Sequence, residues 1–226
     1  MRKFEWIAEL VLFIVFVFIL NLATTSMATS GLGIVLGQVI NLCGFLTILL
    51  WTYLRLTKLK RYKLNNIISL FKSKFSISEI LLIILVFVVG KLSYSLLVEF
   101  EFIRNIRIDI FKHYSLNSQI FDEWKTIILV LLVLIIIVGV FAEELFFRGY
   151  LFNVQYSLYG EYTWIVNGIS WSAIHIFSNT NFIALLPMAF LLSFVYQRKR
   201  NIRITIGAHL VMNSIAGYNI ISGYLL

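Results

Sequence analysis

The chain carries, at residues 127–142, the sequence IILVLLVLIIIVGVFA, sixteen residues without a single charge. A helix that crosses a bilayer needs about twenty mostly apolar residues, and this run reaches that length with its flanks. Strands of a membrane barrel alternate apolar and polar residues in segments of about ten, whereas this run is continuously apolar. The stretch therefore predicts a transmembrane helix from Thr126 to Phe147.

Six further apolar segments have the same character. They are Phe4–Leu22, Ile34–Leu54, Ile80–Val98, Tyr162–Phe177, Phe182–Tyr196 and Ile204–Leu225. Of the 226 residues 60% are hydrophobic and 13% are charged, against roughly 25% charged in soluble domains. The sequence predicts one membrane domain over 1–226, an all-α bundle of about seven spans or eight helices. Only residues 178–181 separate the fifth and sixth spans, which predicts a tight helical hairpin.

The net charge of +8 predicts orientation in the membrane and no nucleic-acid partner. Basic residues concentrate in the loops 55–74 and 198–203, which the positive-inside rule places in the cytoplasm together with the N-terminus. The segment 99–125 then lies outside, as an interfacial amphipathic helix or a solvated linker. A cleaved signal peptide is the alternative for the first span, but its length and Glu5 and Glu9 favour an uncleaved helix. The single cysteine, Cys43, lies in an apolar run and is expected in the core.

Ionisable groups inside membrane helices cost from about 2.5 to well above 10 kcal/mol at the bilayer centre, so their clustering in the second half indicates a function. Glu144 and Arg148 are one helical turn apart and can pair, whereas Glu143 points about 100° away. One carboxylate can therefore be neutralised locally while its neighbour faces something else. The alternative is a solvated cap at the end of span four.

Two further spans carry polar pairs one turn apart. Trp171 and His175 share a face of span five, and His209 and Asn213 share a face of span seven. A structural histidine and interhelical hydrogen bonding are the alternatives for these pairs. Lys91 lies mid-span, where it could pair with a buried acid or line a cavity.

Hydrolysis of a peptide bond needs an activated water, a group that takes its proton, and donors for the oxyanion. A buried glutamate can act as the base, and a facing histidine can hold the same water. A second histidine and an amide can donate to the oxyanion. The sequence holds these four groups on three predicted spans, and it has no Gly-x-Ser-x-Gly, His-Glu-x-x-His or phosphate-loop motif.

The order Glu-Glu-x-x-x-Arg, aromatic-x-x-x-His and His-x-x-x-Asn resembles the CAAX-protease and bacteriocin-processing (CPBP, or Abi) family over residues 125–225. One departure is Trp171, where the family usually has phenylalanine. The resemblance implies an intramembrane endopeptidase in which Glu143 and His175 activate water while His209 and Asn213 stabilise the oxyanion. Glu144, Arg148 and Trp171 would then be supporting residues.

The metal requirement is left open by the residues. Members of the family are often called metalloproteases, and zinc could bind Glu143, His175 and His209 with an open fourth position. Water activation without a metal fits the same residues.

The resemblance implies a membrane-associated peptide or protein as substrate, with roles in CAAX-type processing, signal-peptide maturation or bacteriocin immunity. The richness in isoleucine, phenylalanine, lysine and asparagine is typical of a bacterial plasma-membrane protein. A non-catalytic scaffold and a small transporter are the competing readings.

The predicted span boundaries set a condition on the site. They place Glu143 roughly 6 Å and His175 roughly 18 Å from their cytoplasmic helix ends, at 1.5 Å per residue. The site can assemble only if span four extends further or span five starts later.

Overall fold

All regular structure in the described part of the chain is helical. A computed structural model describes residues 5–27, 30–58, 74–105, 118–176 and 181–225. The helices are α1 (Glu5–Met27), α2 (Gly31–Lys58), α3 (Ile77–Glu99), α4 (Glu101–Asn105), α5 (Ser118–Glu144), a π-helix (Leu145–Leu151), α6 (Phe152–Tyr159), a 3₁₀ turn (Gly160–Tyr162), α7 (Thr163–Ala173), α8 (Leu186–Lys199) and α9 (Ile202–Leu225).

Each of the seven apolar segments coincides with helix over most of its length, which confirms the all-α fold. Four helical stretches are long and apolar enough to cross a membrane: α1, α2, α3 and the run Glu123–Ala173. Their outward faces expose large apolar side chains such as Leu12 and Leu81, as expected of helices surrounded by lipid. The number of seven spans and the cytoplasmic N-terminus stay predictions.

The predicted end of span four at Phe147 is wrong. The helix continues through the π-helix and α6 to Tyr159, and the chain reverses at Gly160, which has a φ of 53° that favours glycine. Charged residues usually indicate the end of an apolar span. Here Glu144 and Arg148 are fully buried and neutralise each other, so the helix continues past them inside the protein.

Close helix contacts bring the C-terminal helices together. α7 meets α8 at Gly168, where a Cβ would lie 2.5 Å from Phe190 Cδ1 and 3.1 Å from the Phe190 backbone nitrogen. α3 meets α8 at Gly90, where a Cβ would lie 2.1 Å from Met188 Sδ. The contact at Gly168 leaves no room for a side chain, because the Phe190 backbone is also close. Together with the contact at Gly90 and with α9 packed on α3, it places α3, α7 and α9 around one cavity.

The N-terminal helices are joined by an ion pair. Glu9 of α1 is buried and pairs with Arg55 of α2. Arg55 also lies over the Trp51 ring, 4.7 Å from its centroid. Arg55 therefore belongs to α2 and not to the predicted loop.

Of three other sequence predictions, one is contradicted by the structure and two fall wholly or partly outside the described residues. Cys43 is exposed on α2, on a face that the described residues leave uncovered, so its assignment to the core is wrong. The hairpin residues 178–180 and most of the basic loop after α2 lie outside the described residues. Of the segment 99–125, residues 106–117 also lie outside them, and Glu101–Asn105 is helical.

Candidate active site

The two adjacent glutamates are buried at the junction of α5 and the π-helix. Glu143 is 7% exposed and Glu144 is fully buried. Glu144 faces Arg148 and His209, whereas Glu143 faces Trp171 and the two histidines. This is the divergence expected from the 100° step between neighbouring helical residues. A solvated cap is excluded by the burial of both carboxylates.

The Glu144 carboxylate lies between two basic side chains. Its Oε1 accepts a hydrogen bond from Arg148 Nη1 at 3.1 Å and lies 3.0 Å from His209 Nδ1. The Arg148 guanidinium also lies 5.3 Å from the centre of the Trp171 ring. A buried carboxylate is tolerated when it is paired and hydrogen-bonded, so this cluster fixes the orientation of His209.

The Glu143 carboxylate meets residues from two other segments. Its Oε2 accepts a hydrogen bond from Trp171 Nε1 at 2.9 Å. The same oxygen lies 4.0 Å from His175 Nε2 and 4.0 Å from His209 Nε2. The Trp171 ring packs edge-on against both imidazoles, with centroid distances of 5.0 and 5.2 Å. Three separate segments thus place one carboxylate and two imidazoles around a common point.

His175 reaches this point from a turn and not from a helix. α7 ends at Ala173, and the His175 amide donates to the Ser172 carbonyl at 3.0 Å. Its side chain is 22% exposed, whereas that of His209 is 2% exposed. His175 is therefore the more accessible of the two imidazoles.

A cavity of about 240 Å³ opens beside the two imidazoles. It is lined by Phe87, Lys91, Tyr94, Trp171, His175, Leu185, His209, Met212, Asn213, Ile215 and Ala216. Asn213 lies one turn after His209 on α9 and is half-buried. No other described side chain holds its amide, so the amide is available to a bound group.

The continuation of the helix to Tyr159 removes the difference in depth between Glu143 and His175 that the predicted span boundaries imply. Glu143 lies sixteen residues before Tyr159, where α6 ends, and His175 lies twelve residues after Thr163, where α7 begins. At 1.5 Å per residue these distances are roughly 24 and 18 Å, and the smaller rise per residue of the wider π-helix shortens the first. The two side chains therefore reach the same level from opposite sides of the turn at Gly160.

A buried polar chain supports Arg148 and was not predicted from the sequence. Arg148 Nη2 donates to Ser193 Oγ at 3.5 Å, Ser193 donates to Asn167 Oδ1 at 3.0 Å, and Asn167 donates to Gln155 Oε1 at 2.9 Å. Gln155 then donates to Ser170 at 3.1 Å. The available signal was Asn167 and Ser170 one turn apart in α7, on the same side as Trp171.

The donor atoms do not fit a preformed zinc site. Zinc–ligand bonds of about 2.0–2.2 Å in tetrahedral geometry place ligand atoms roughly 3.3–3.5 Å apart, whereas Glu143 Oε2 is 4.0 Å from each imidazole nitrogen. That oxygen also accepts the Trp171 hydrogen bond. Among the described residues, no group of three or more histidine, cysteine, aspartate or glutamate side chains is placed to hold a metal ion.

The fold and the site together define an all-helical integral membrane protein with a buried glutamate–histidine centre. Residues 124–215 match the family described as type II CAAX prenyl endopeptidase Rce1-like. This part of the chain is similar to that family, and the match supports the resemblance to the CAAX-protease and bacteriocin-processing family, a family of proteases. All seven site residues predicted from the sequence lie within the matched range. No curated protein and no solved structure matches the chain.

Proposed function

We propose that the protein is an intramembrane endopeptidase that hydrolyses a peptide bond in a small membrane-associated protein or peptide. The observation that carries this proposal is the position of Glu143 Oε2, 4.0 Å from the Nε2 atoms of His175 and His209. Both imidazoles line the cavity that would receive the substrate. The family match supports protease chemistry, and the amino-acid composition supports a location in a bacterial plasma membrane.

The spacing suits a bridging water. Two atoms 4.0 Å apart are too distant for a direct hydrogen bond but can both hold one water at about 2.8 Å. Trp171 donates to Glu143 and so fixes the carboxylate in this orientation. Glu143 and His175 would orient such a water towards a carbonyl carbon that enters from the cavity.

Glu143 acts in the proposed reaction as general base and then as general acid. It takes a proton from the water as the water oxygen bonds to the carbonyl carbon. The tetrahedral intermediate then collapses, the carbon–nitrogen bond breaks, and the proton passes to the leaving amine. The carboxylate returns to its ionised form, and no redox partner is needed.

His209 is suited to stabilise the oxyanion because Glu144 holds its other nitrogen. The Glu144 carboxylate accepts at Nδ1, so Nδ1 carries a proton, and donation from Nε2 needs a second one. Asn213, one turn further along α9, supplies the second donor. Preorganised donors of this kind are usually the largest contribution to such catalysis.

The test compares wild type with Glu143→Gln in proteoliposomes on a panel of lipid-anchored peptides. Loss of a general base should lower kcat about 10²–10⁴-fold, and the near-isosteric amide should preserve the fold. Glu9→Gln is the matched control, because Glu9 is equally buried in the first half of the chain, and it should cleave at the wild-type rate. Equal turnover by wild type and Glu143→Gln would contradict the proposal and favour the non-catalytic scaffold.

A further inference from the structure

Lys91 forms part of the cavity wall on the side of α3. Phe87, Lys91 and Tyr94 all line the cavity, and their spacing of four and three residues places them on one face of the helix. The Lys91 ammonium lies 5.9 Å from the centre of the Tyr94 ring, at the outer limit of a cation–π contact. The lysine thus shares one cavity with His175, His209 and Asn213.

No described carboxylate neutralises Lys91. The ion pairs among the described residues join other bases to Glu9, Glu79, Glu143 and Glu144. Glu143 and Glu144 are held by partners other than Lys91. The cavity therefore presents a cation whose counter-ion is not provided by the described residues.

Snorkelling to the membrane surface does not account for this position. Lys91 is eight residues from Glu99 at the end of α3, a distance of about 12 Å along the axis, which exceeds the length of a lysine side chain. Gly90 packs against Met188 of α8, whereas its neighbour Lys91 is exposed and lines the cavity. A lysine in the middle of a predicted span costs several kcal/mol when it has no partner, which favours an anion bound beside Lys91.

We propose that Lys91 is a specificity-determining residue that binds a carboxylate of the peptide substrate inside the cavity. The inference rests on the proposed function and adds the chemical class of the substrate. The carboxylate can come from the C-terminus of the peptide or from an aspartate or glutamate side chain. The cavity of about 240 Å³ is smaller than the usual ligand pocket of about 300–1,000 Å³. It admits a short segment, so binding of the carboxylate at Lys91 sets how far from that group the peptide is cut.

The experiment measures kcat/KM on matched peptides in proteoliposomes. The peptides carry a free C-terminal acid, a C-terminal amide, or an internal acidic residue and its amide counterpart. Wild type should prefer one acid over its amide by about 10-fold or more, as for a charge pair removed from water. Lys91→Met should abolish that preference and Lys91→Arg should retain it. Lys74→Met, which removes a lysine outside the cavity, should leave it unchanged.

The ratio of kcat/KM for the acid peptide to that for its amide separates a role in recognition from a role in folding. A purely structural role of Lys91 would lower both kcat/KM values together. A Lys91→Met protein that keeps the wild-type ratio would overturn the proposal. If Lys91→Met does not fold, Lys91→Gln provides the same comparison.

Failure of the proposed function is detected separately. Binding of the same four peptides is measured on Glu143→Gln and on the double variant with Lys91→Met. If nothing is cleaved by wild type, the peptidase proposal fails. A selective loss of acid binding in the double variant would still support Lys91 as the carboxylate site, and equal binding of acid and amide by Glu143→Gln would refute it.

Discussion

The two halves of the chain each bury a glutamate beside an arginine, but the surroundings of the two pairs differ. Glu9 and Arg55 join α1 to α2, and the Arg55 side chain is 34% exposed. Glu144 and Arg148 are fully buried on one helical face, with a second carboxylate, Glu143, directly before them. The first pair links two helices, whereas the second has an additional carboxylate that faces two imidazoles, and the proposed active site rests on that carboxylate. A buried ion pair alone is therefore a poor marker of function in this molecule.

The largest expected effect comes from breaking one pair at a time. Arg148→Met leaves Glu144 buried without its main counter-charge, which should cost about 3–5 kcal/mol of stability and abolish cleavage. Arg55→Met should cost less than Arg148→Met, because the Arg55 side chain is 34% exposed and its ion pair with Glu9 is partly screened, and cleavage should continue. Thermal unfolding in detergent and peptide cleavage in proteoliposomes measure the two effects.

The two arginine variants also test whether the Glu9–Arg55 and Glu144–Arg148 ion pairs differ in their roles. Similar falls in unfolding temperature and similar residual activities would show that the two ion pairs are equivalent. The distinction between a linking pair and a catalytic cluster would then be lost.

A smaller effect is expected from Asn213→Ala. This variant should lower the rate of catalysis without lowering stability. Removal of one oxyanion donor typically lowers kcat about 10²–10³-fold. Asn213→Ala should do so with little change in KM or unfolding temperature, because the amide is half-buried and no other described side chain depends on it. The exposed neighbour Ser214, changed to alanine, is the control and should cleave normally. An Asn213→Ala enzyme with wild-type kcat would leave His209 as the only oxyanion donor.

The parts of the site that the sequence predicts correctly are those set by local geometry. The pairing of Glu144 with Arg148 and the contact of Trp171 with His175 both follow from 3.6 residues per turn. Continuous apolar runs identify the helices because a lipid-facing backbone must satisfy its hydrogen bonds within the helix. These features need no knowledge of how the helices pack.

The parts that the sequence does not predict depend on tertiary partners. The helix continues beyond Phe147 because Arg148 is neutralised inside the bundle, which a charge pattern alone cannot distinguish from an exposed end. Asn167 and Ser193 become a support for Arg148 only when α7 and α8 meet it. Lys91 is ambiguous in the sequence because its role depends on a cavity that three distant helices form together.

The smallest expected effect concerns the hydrogen bond from Trp171 to Glu143, the contact that most clearly distinguishes Glu143 from Glu9. Phenylalanine, the usual residue of the family at this position, would keep the ring between the two imidazoles but lose the Nε1 donor. A hydrogen bond of about 1.4 kcal/mol corresponds to a tenfold change in rate, so Trp171→Phe should lower kcat by about that factor with KM unchanged. Trp164→Phe, on the same helix but packed against Phe190 and Phe194, is the control. A wild-type kcat in Trp171→Phe would mean that ring packing alone orients the carboxylate.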